Sequence, residues 1–373
     1  MVLAGFLPAM IAYRRPRLRT ALRPTRWAPV FVYLLVLATV VCGPAVADTG
    51  MPVACGQLPR PQDSIWLINT RHTGCSFSVG SAGSAGAGAA AGLRYYRFEP
   101  PDGTGLAHWR PTDGAAFLRD QMPGGTTLFF VHGNWVSQAE AYQRGLAFYL
   151  ALVQHAEADR PLRFVTWSWP TARLRGLVKD ARIKAQRTEL AGYQLAWLVD
   201  QMDAEGPIAM VGFSFGARVI TGALHVLGGG QLDQMASPVR PATDRGKIRT
   251  VLMTAALDDD WLLPGHGHGF ALSQVDRMLL LNNSSDPALK WYHMIDRCRR
   301  PSALGRWGIA WPGMLGADAQ KVDQCDVCCL LGREHSFQSY LNCPDLMRQT
   351  WSYLSSDPLL VGNLPGRTDR SVE

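Results

Sequence analysis

Apolar residues recur along this chain in two alternating rhythms. Short, near-continuous apolar runs occupy 127–131 (TLFFV), 163–167 (RFVTW), 207–213 (PIAMVGF), 248–255 (IRTVLMTA) and 277–282 (RMLLLN). Such runs read as strands buried on both faces. Between and after them lie segments with helical spacing, over about 138–155, 186–203, 214–227, 270–275, 286–297 and 336–355. Strand and helix in strict alternation predict a doubly wound, mostly parallel sheet with helices on both faces, an α/β fold. Two earlier runs, Ser64–Thr70 and Leu93–Phe98, suit antiparallel strands at its N-terminal edge. The Gly/Ala/Ser tract 80–92 between them is expected to be a flexible surface loop. Long insertions are expected at 168–185 and 298–334. The expected organisation is a single domain over 48–373: edge strands and loop in 48–125, a core in 126–356, and a tail in 357–373.

The first 47 residues stand apart. Six arginines (14, 15, 17, 19, 23, 26) and no acidic residue precede the apolar stretch Val30–Cys42, which ends in Gly43-Pro44-Ala45-Val46-Ala47. A basic region, a short apolar region and an A-x-A ending predict a secretory leader cut after Ala47. The alternative is an uncut signal-anchor over 28–43. Either predicts export, to the periplasm, envelope or medium, with membrane association through this segment in the second case.

Composition then changes the picture in two ways. With 373 residues, 47 % of them hydrophobic, the chain can bury one large core. The formal charge of +7 falls to +1 once the six leader arginines are set aside, so no nucleic-acid partner is expected. The basic run Arg173, Arg175, Lys179, Arg182, Lys184 and Arg187 reads as a solvated helix face, or as an attractor for an anionic substrate or surface. Export makes disulfides the first reading of the seven cysteines that follow the leader: Cys55 with Cys75, and most of Cys298, Cys325, Cys328, Cys329 and Cys343 bracing one long loop. Cys325-x-x-Cys328-Cys329 lacks the second pair or spaced histidines of a zinc site, so no metal and no cofactor are expected.

The chemistry centres on Gly212-Phe213-Ser214-Phe215-Gly216, placed directly between a strand and a helix. That setting is a nucleophile elbow: a turn tight enough to demand glycine on both sides and to push the serine hydroxyl outward. Ala82-Gly83-Ser84-Ala85-Gly86 matches loosely but follows no strand. A serine nucleophile needs a base and an orienting acid, in chain order Ser, acid, His on this fold. His335 lies in the loop before the closing helix, where a base belongs; read otherwise, it packs beside the cysteines. His225 is buried in the elbow helix, His293 lies in a later helix, and His266 and His268 share a Gly-rich loop. Two acids compete. Asp286 follows strand 277–282 and would equally cap the next helix at Pro287, whereas Asp258 opens the acidic run after strand 248–255. An oxyanion hole would take the amide of Phe215 and that of Asn134, or alternatively Trp135, from the loop His132-Gly133-Asn134-Trp135. Trp135, Trp167, Trp169 and Phe213 are expected either to line an apolar substrate pocket or to pack in the core.

VHGNW (131–135), TWSWP (166–170), GFSFGARVI (212–220), TAALDDD (254–260), NNSSDPALK (282–290) and EHSFQSYL (334–341) together resemble the α/β-hydrolase superfamily, across roughly residues 64–356. Within it they resemble a bacterial serine-esterase-like family of poorly defined substrate. The resemblance implies a triad of Ser214, Asp286 and His335. The elbow departs from the family's usual H-S-M-G in carrying phenylalanine at 213 and 215, and the cysteine-bearing insertion 298–334 has no counterpart there. The function expected is hydrolysis of small-molecule or lipid carboxylic esters. The competing expectations are an acyltransferase or peptidase on the same residues, and an envelope-tethered binding or scaffold protein without turnover.

Overall fold

A computed structural model describes residues 58–72, 85–101, 107–157, 160–202, 206–233, 235, 237–239 and 248–355. The expected leader or anchor, Cys55, Cys75 and the tail 357–373 lie outside them.

The framework is a nine-stranded sheet in the order β3-β2-β1-β5-β4-β6-β7-β8-β9. Its strands are β1 (Ser64–Asn69), β2 (Arg94–Glu99), β3 (His108–Thr112), β4 (Thr126–Val131), β5 (Leu162–Ser168), β6 (Ile208–Phe213), β7 (Ile248–Met253), β8 (Val275–Asn282) and β9 (Val322–Asp326). β1–β2 and β2–β3 pair antiparallel, and every other pair is parallel. This is the expected α/β architecture with its antiparallel edge.

Each central strand feeds two cores. On β4, Phe129 and Val131 point into one face while Leu128 and Phe130 point into the other; Met210 and Val211 divide likewise on β6. The first core is closed by helices Leu177–Gln201 and Phe215–Leu227, and the second by helices Gln138–Val153 and Pro344–Leu354. The chain leaving β4 therefore turns onto one face and the chain leaving β6 onto the other. Such a reversal between neighbouring strands is the point at which ligands bind in open α/β sheets.

Four expectations need correction. The tract 80–92 contains a short helix, Ala85–Ala90, with Ala89 buried and its carbonyl accepting from Gln194 Nε2. Helix 186–203 begins at Leu177, which shrinks the expected insertion 168–185 to a few irregular residues after β5. Its first turns hide an Asp180–Lys184 ion pair on the inward face, so charges stand where an amphipathic pattern predicts apolar residues. The expected helix 286–297 is a 3-10 stretch, Leu289–Met294. The insertion 298–334 is not one loop: it holds a turn of helix (Leu304–Trp307), a 3-10 segment (Pro312–Lys321) and strand β9. β9 (VDQCD) and β3 (HWRPT) escape a hydrophobic reading because they are edge strands, where polar residues and proline are tolerated.

The expected disulfides are absent among the described cysteines. Cys298, Cys328, Cys329 and Cys343 are free thiols, and Cys325 forms no disulfide. Cys325 is buried in the sheet, Cys328 and Cys329 share one helical turn, and Cys343 precedes the closing helix, so ladder pairing braces this region instead. Among the described residues, no helix is long and apolar enough to cross a membrane.

Candidate active site

The elbow is local in origin. β6 ends at Phe213, Ser214 adopts φ 54° and ψ −119°, and the helix starts at Phe215. A non-glycine residue in such backbone costs about 1–3 kcal/mol and persists only where its surroundings enforce it. Here the Ser214 amide donates to Met253 O (2.9 Å) and its carbonyl accepts from Ala256 N (3.1 Å), tying the turn to the end of β7. Glycine at 216 is obligatory: a Cβ there would lie 2.0 Å from Val131 O. The turn places the buried serine hydroxyl at the end of β6, where it faces His335.

His335 Nε2 lies 3.1 Å from Ser214 Oγ, and His335 Nδ1 lies 2.5 Å from Asp286 Oδ2. Asp286 is fully buried, and both its oxygens are occupied. Oδ2 also accepts the Thr254 hydroxyl (2.6 Å), while Oδ1 accepts the amides of Ala288 (2.8 Å) and Leu289 (3.0 Å). Oδ1 thus makes the helix-capping contacts read from the sequence, and Oδ2 is the oxygen that faces His335. Burial pushes the Asp286 carboxyl up, but the His335 hydrogen bond and charge, the Thr254 hydroxyl and the Leu289 amide outweigh it and hold it below the usual carboxylate range. The carboxylate therefore stays ionised beside the imidazole and fixes its proton on Nδ1.

Asp258 is engaged elsewhere. It accepts the Tyr292 hydroxyl (2.8 Å) and pairs with Arg299 (3.3 Å), and its backbone bridges to Ala303. Burial raises its pKa despite these partners. Three other histidines that follow Ser214 have partners of their own: His268 contacts the Thr221 hydroxyl (2.8 Å), His266 contacts Asp260 (3.1 Å), and His225 accepts from the Phe270 amide (3.2 Å); His293 packs beside Trp291.

On the opposite side of Ser214 runs the loop His132–Trp135. Gly133 packs so closely that a Cβ there would sit 3.0 Å from Phe213 Cδ1 and 3.2 Å from Ser214 Cβ. His132 is buried, and its Nε2 faces two donors, the Arg71 guanidinium (3.3 Å) and the Trp169 amide (3.4 Å). Its proton therefore belongs on Nδ1, donated to Gly133 O (2.9 Å). Burial first, then the Arg71 charge, push its pKa well below the ordinary histidine value, so the ring is neutral and serves as a brace. Phe215 is the first residue of its helix, so its N–H has no intrahelical acceptor and is free to meet an anion at the helix's positive end.

The four aromatic residues named as pocket candidates separate. Trp135 is 41 % exposed at the rim, with Arg173 over its ring, and Phe213 lies against the His335 ring (5.5 Å between centroids). Trp167 and Trp169 are fully buried and line no open cleft in this structure. Trp169 instead donates its indole N–H to His132 O (2.8 Å), bracing the loop, and Trp167 fills the first core.

Four further residues shape the site and were missed in the sequence. Thr254 (φ 44°) carries a hydroxyl onto Asp286. Asn283, fully buried, donates to Gly332 O and Glu334 O (both 3.0 Å) and so holds the His335 loop. Arg71 donates to Ser168 Oγ (3.0 Å) and Val136 O (3.0 Å) beside His132. Asp180 accepts from the Asn134 side chain and the Trp135 indole. Only the unusual run Asn282-Asn283-Ser284-Ser285-Asp286 carries a visible hint, as a polar turn directly after an apolar strand.

No protein-family model matches the chain, and no curated protein matches it in sequence. Among solved structures it is similar to the catalytic core domain of acetyl xylan esterase from Trichoderma reesei, at 15 % identity and a TM-score of 0.35, covering 63 % of this chain and 98 % of that one. It is also similar to an iodinated complex of acetyl xylan esterase, at 12 % identity and a TM-score of 0.34, covering 62 % and 97 %.

Proposed function

We propose that this protein is an exported serine hydrolase that cleaves carboxylic esters through an acyl-enzyme, on an α/β-hydrolase fold. One observation carries the reading: Ser214 Oγ, His335 and the buried Asp286 carboxylate form one continuous hydrogen-bonded relay, with the serine on a strained strand-to-helix turn. Strain of that kind is retained where chemistry needs it.

In the proposed mechanism His335 Nε2 takes the Ser214 proton as Oγ attacks the ester carbonyl, and Asp286 stabilises the imidazolium that forms. The tetrahedral oxyanion is received by the N–H groups of Phe215 and Asn134. Collapse breaks the ester C–O bond, and the alcohol leaves with the proton from His335. Water, deprotonated by the same imidazole, then attacks the acyl-Ser214 carbonyl and releases the acid. Trp135, exposed on the loop after β4, presents apolar surface, which suits a small-molecule or lipid ester, whereas Phe213 is buried against the His335 ring.

A fluorophosphonate probe tests the reading. The expected result is labelling of the wild type that disappears in Ser214→Ala, together with a loss of p-nitrophenyl ester hydrolysis of about 10⁴–10⁶-fold. Folded wild-type protein that takes no label would point to a binding or scaffold role and overturn the proposal.

A further inference from the structure

We infer that Asp180 is the positioning residue of the oxyanion hole: its buried carboxylate clamps Asn134 and Trp135 so that the Asn134 amide points at the developing negative charge. The inference rests on the serine-hydrolase reading and adds a component that no motif in the chain announces.

Asp180 is 1 % exposed and receives four donors. Oδ2 accepts Asn134 Nδ2 (2.9 Å) and Trp135 Nε1 (2.8 Å); Oδ1 accepts Leu174 N (2.7 Å) and Lys184 Nζ (3.0 Å). Lys184 is itself fully buried and reaches on to Ala172 O (2.6 Å). One carboxylate therefore joins the loop after β4 to the loop after β5 and to the first turns of the long helix. Burying an ion pair this completely is a poor way to gain stability, because desolvation consumes most of the attraction. What the pair does supply is a fixed anchor at one point in space.

The anchor acts where the backbone needs it. Trp135 sits in the left-handed region (φ 54°), an unfavourable conformation for a bulky residue. Its indole N–H and the side-chain NH₂ of the preceding Asn134 both donate to Asp180 Oδ2. Because a carboxylate only accepts, the Asn134 amide must turn its NH₂ toward Asp180, which leaves Asn134 Oδ1 buried with no partner. Gly133 is wedged against Phe213 and Ser214 Cβ just before. The peptide N–H of Asn134 is thus set between a packed glycine behind and two side-chain tethers ahead. Charge on Asp180 is secured as well: burial pushes its pKa up, and the Asn134, Leu174, Lys184 and Trp135 hydrogen bonds bring it below the usual carboxylate range.

Asparagine at 180 keeps the size but offers only one accepting edge, so either Asn134 and Trp135 or Leu174 and Lys184 meet an opposing NH₂. The test is the rate of fluorophosphonate labelling at saturating probe, which needs no knowledge of the natural ester. A clamp on the oxyanion loop predicts that Asp180→Asn lowers that rate about 10²-fold, with full labelling amplitude and half-saturation within about threefold of wild type. A residue that merely supports folding lowers the amplitude and leaves the rate of the folded fraction unchanged. Such a result, or a rate within about threefold of wild type, overturns the inference. Should Asp180→Asn fail to fold, Asn134→Ala and Trp135→Phe each cut one tether. Each is expected to lower the rate about tenfold, and wild-type rates in both overturn the clamp. Labelling that persists in Ser214→Ala sinks the serine-hydrolase reading instead, whatever Asp180 does.

Discussion

Ser214 and His335 stand 3.1 Å apart but are held by opposite means. Ser214 is positioned by its own neighbours in sequence: a strand in front, a helix behind, and glycines at 212 and 216 that let the backbone fold through a space with no room for a Cβ. His335 lies in an irregular loop. Its place comes from residues about fifty positions earlier, Asn283 holding the carbonyls of Gly332 and Glu334 and Asp286 holding the ring. β9 and the Asp326 side chain, which accepts Ser284 N (3.2 Å) and Cys328 N (3.0 Å), bind the two segments together. A local device leaves a short motif in the sequence. A device assembled over distance leaves scattered polar residues, each unremarkable where it stands.

If the two sides differ in this way, they should fail differently. The largest effect expected on the His335 side is from Asp286→Asn, which removes the charge facing the imidazole and permits the wrong tautomer. Turnover of a p-nitrophenyl ester should fall about 10⁴-fold while the fold survives, and Asp258→Asn should stay within about threefold. The reverse order would reassign the acid. Next, Asn283→Ala cuts both tethers to the His335 loop and leaves the elbow untouched. A loss of about 10- to 100-fold in kcat is expected, with little change in KM. Wild-type kcat in a folded Asn283→Ala protein would show that the loop holds itself.

The smallest effect concerns pH and the brace at His132. Its folded pKa lies well below the unfolded value of about 6.5, so the unfolded chain takes up this proton first. The stability contributed by the neutral ring is complete above about pH 6.5 and declines as pH falls below it. His225, pushed down to about 4 by burial and then by the neighbouring His268, acts in the same sense. Each contributes a slope of up to about 1.4 kcal/mol per pH unit. Urea unfolding between pH 6.5 and 5 should show this decline, and His132→Gln should reduce its steepness. An unchanged slope in that variant would mean that His132 is charged in the folded protein.

The strand–helix alternation, the antiparallel edge, the elbow and the loop 132–135 were all readable as patterns. Buried parallel strands write long apolar runs, and the elbow imposes glycine. Strands β3 and β9 were not readable, because edge strands need no apolar face. The first turns of the long helix were hidden by the inward-facing Asp180–Lys184 pair, and the cysteines suggested bridges where β9 is held by its ladder to β8. Trp167 and Trp169 illustrate the limit from the other side: a tryptophan near a strand end reads equally as pocket or core, and only packing distinguished them.

By itself the sequence determined the sheet's character and where the tight strand-to-helix turn at Ser214 would stand, because periodicity and steric exclusion act over a few residues. Tertiary structure alone decided between Asp286 and Asp258 as the partner of His335, and it brought Asn283, Thr254 and Asp180 to the site. The physical reason is reach: a hydrogen bond forms only within about 3 Å, and whether two residues far apart in the chain come that close is decided by how the strands order themselves in the sheet.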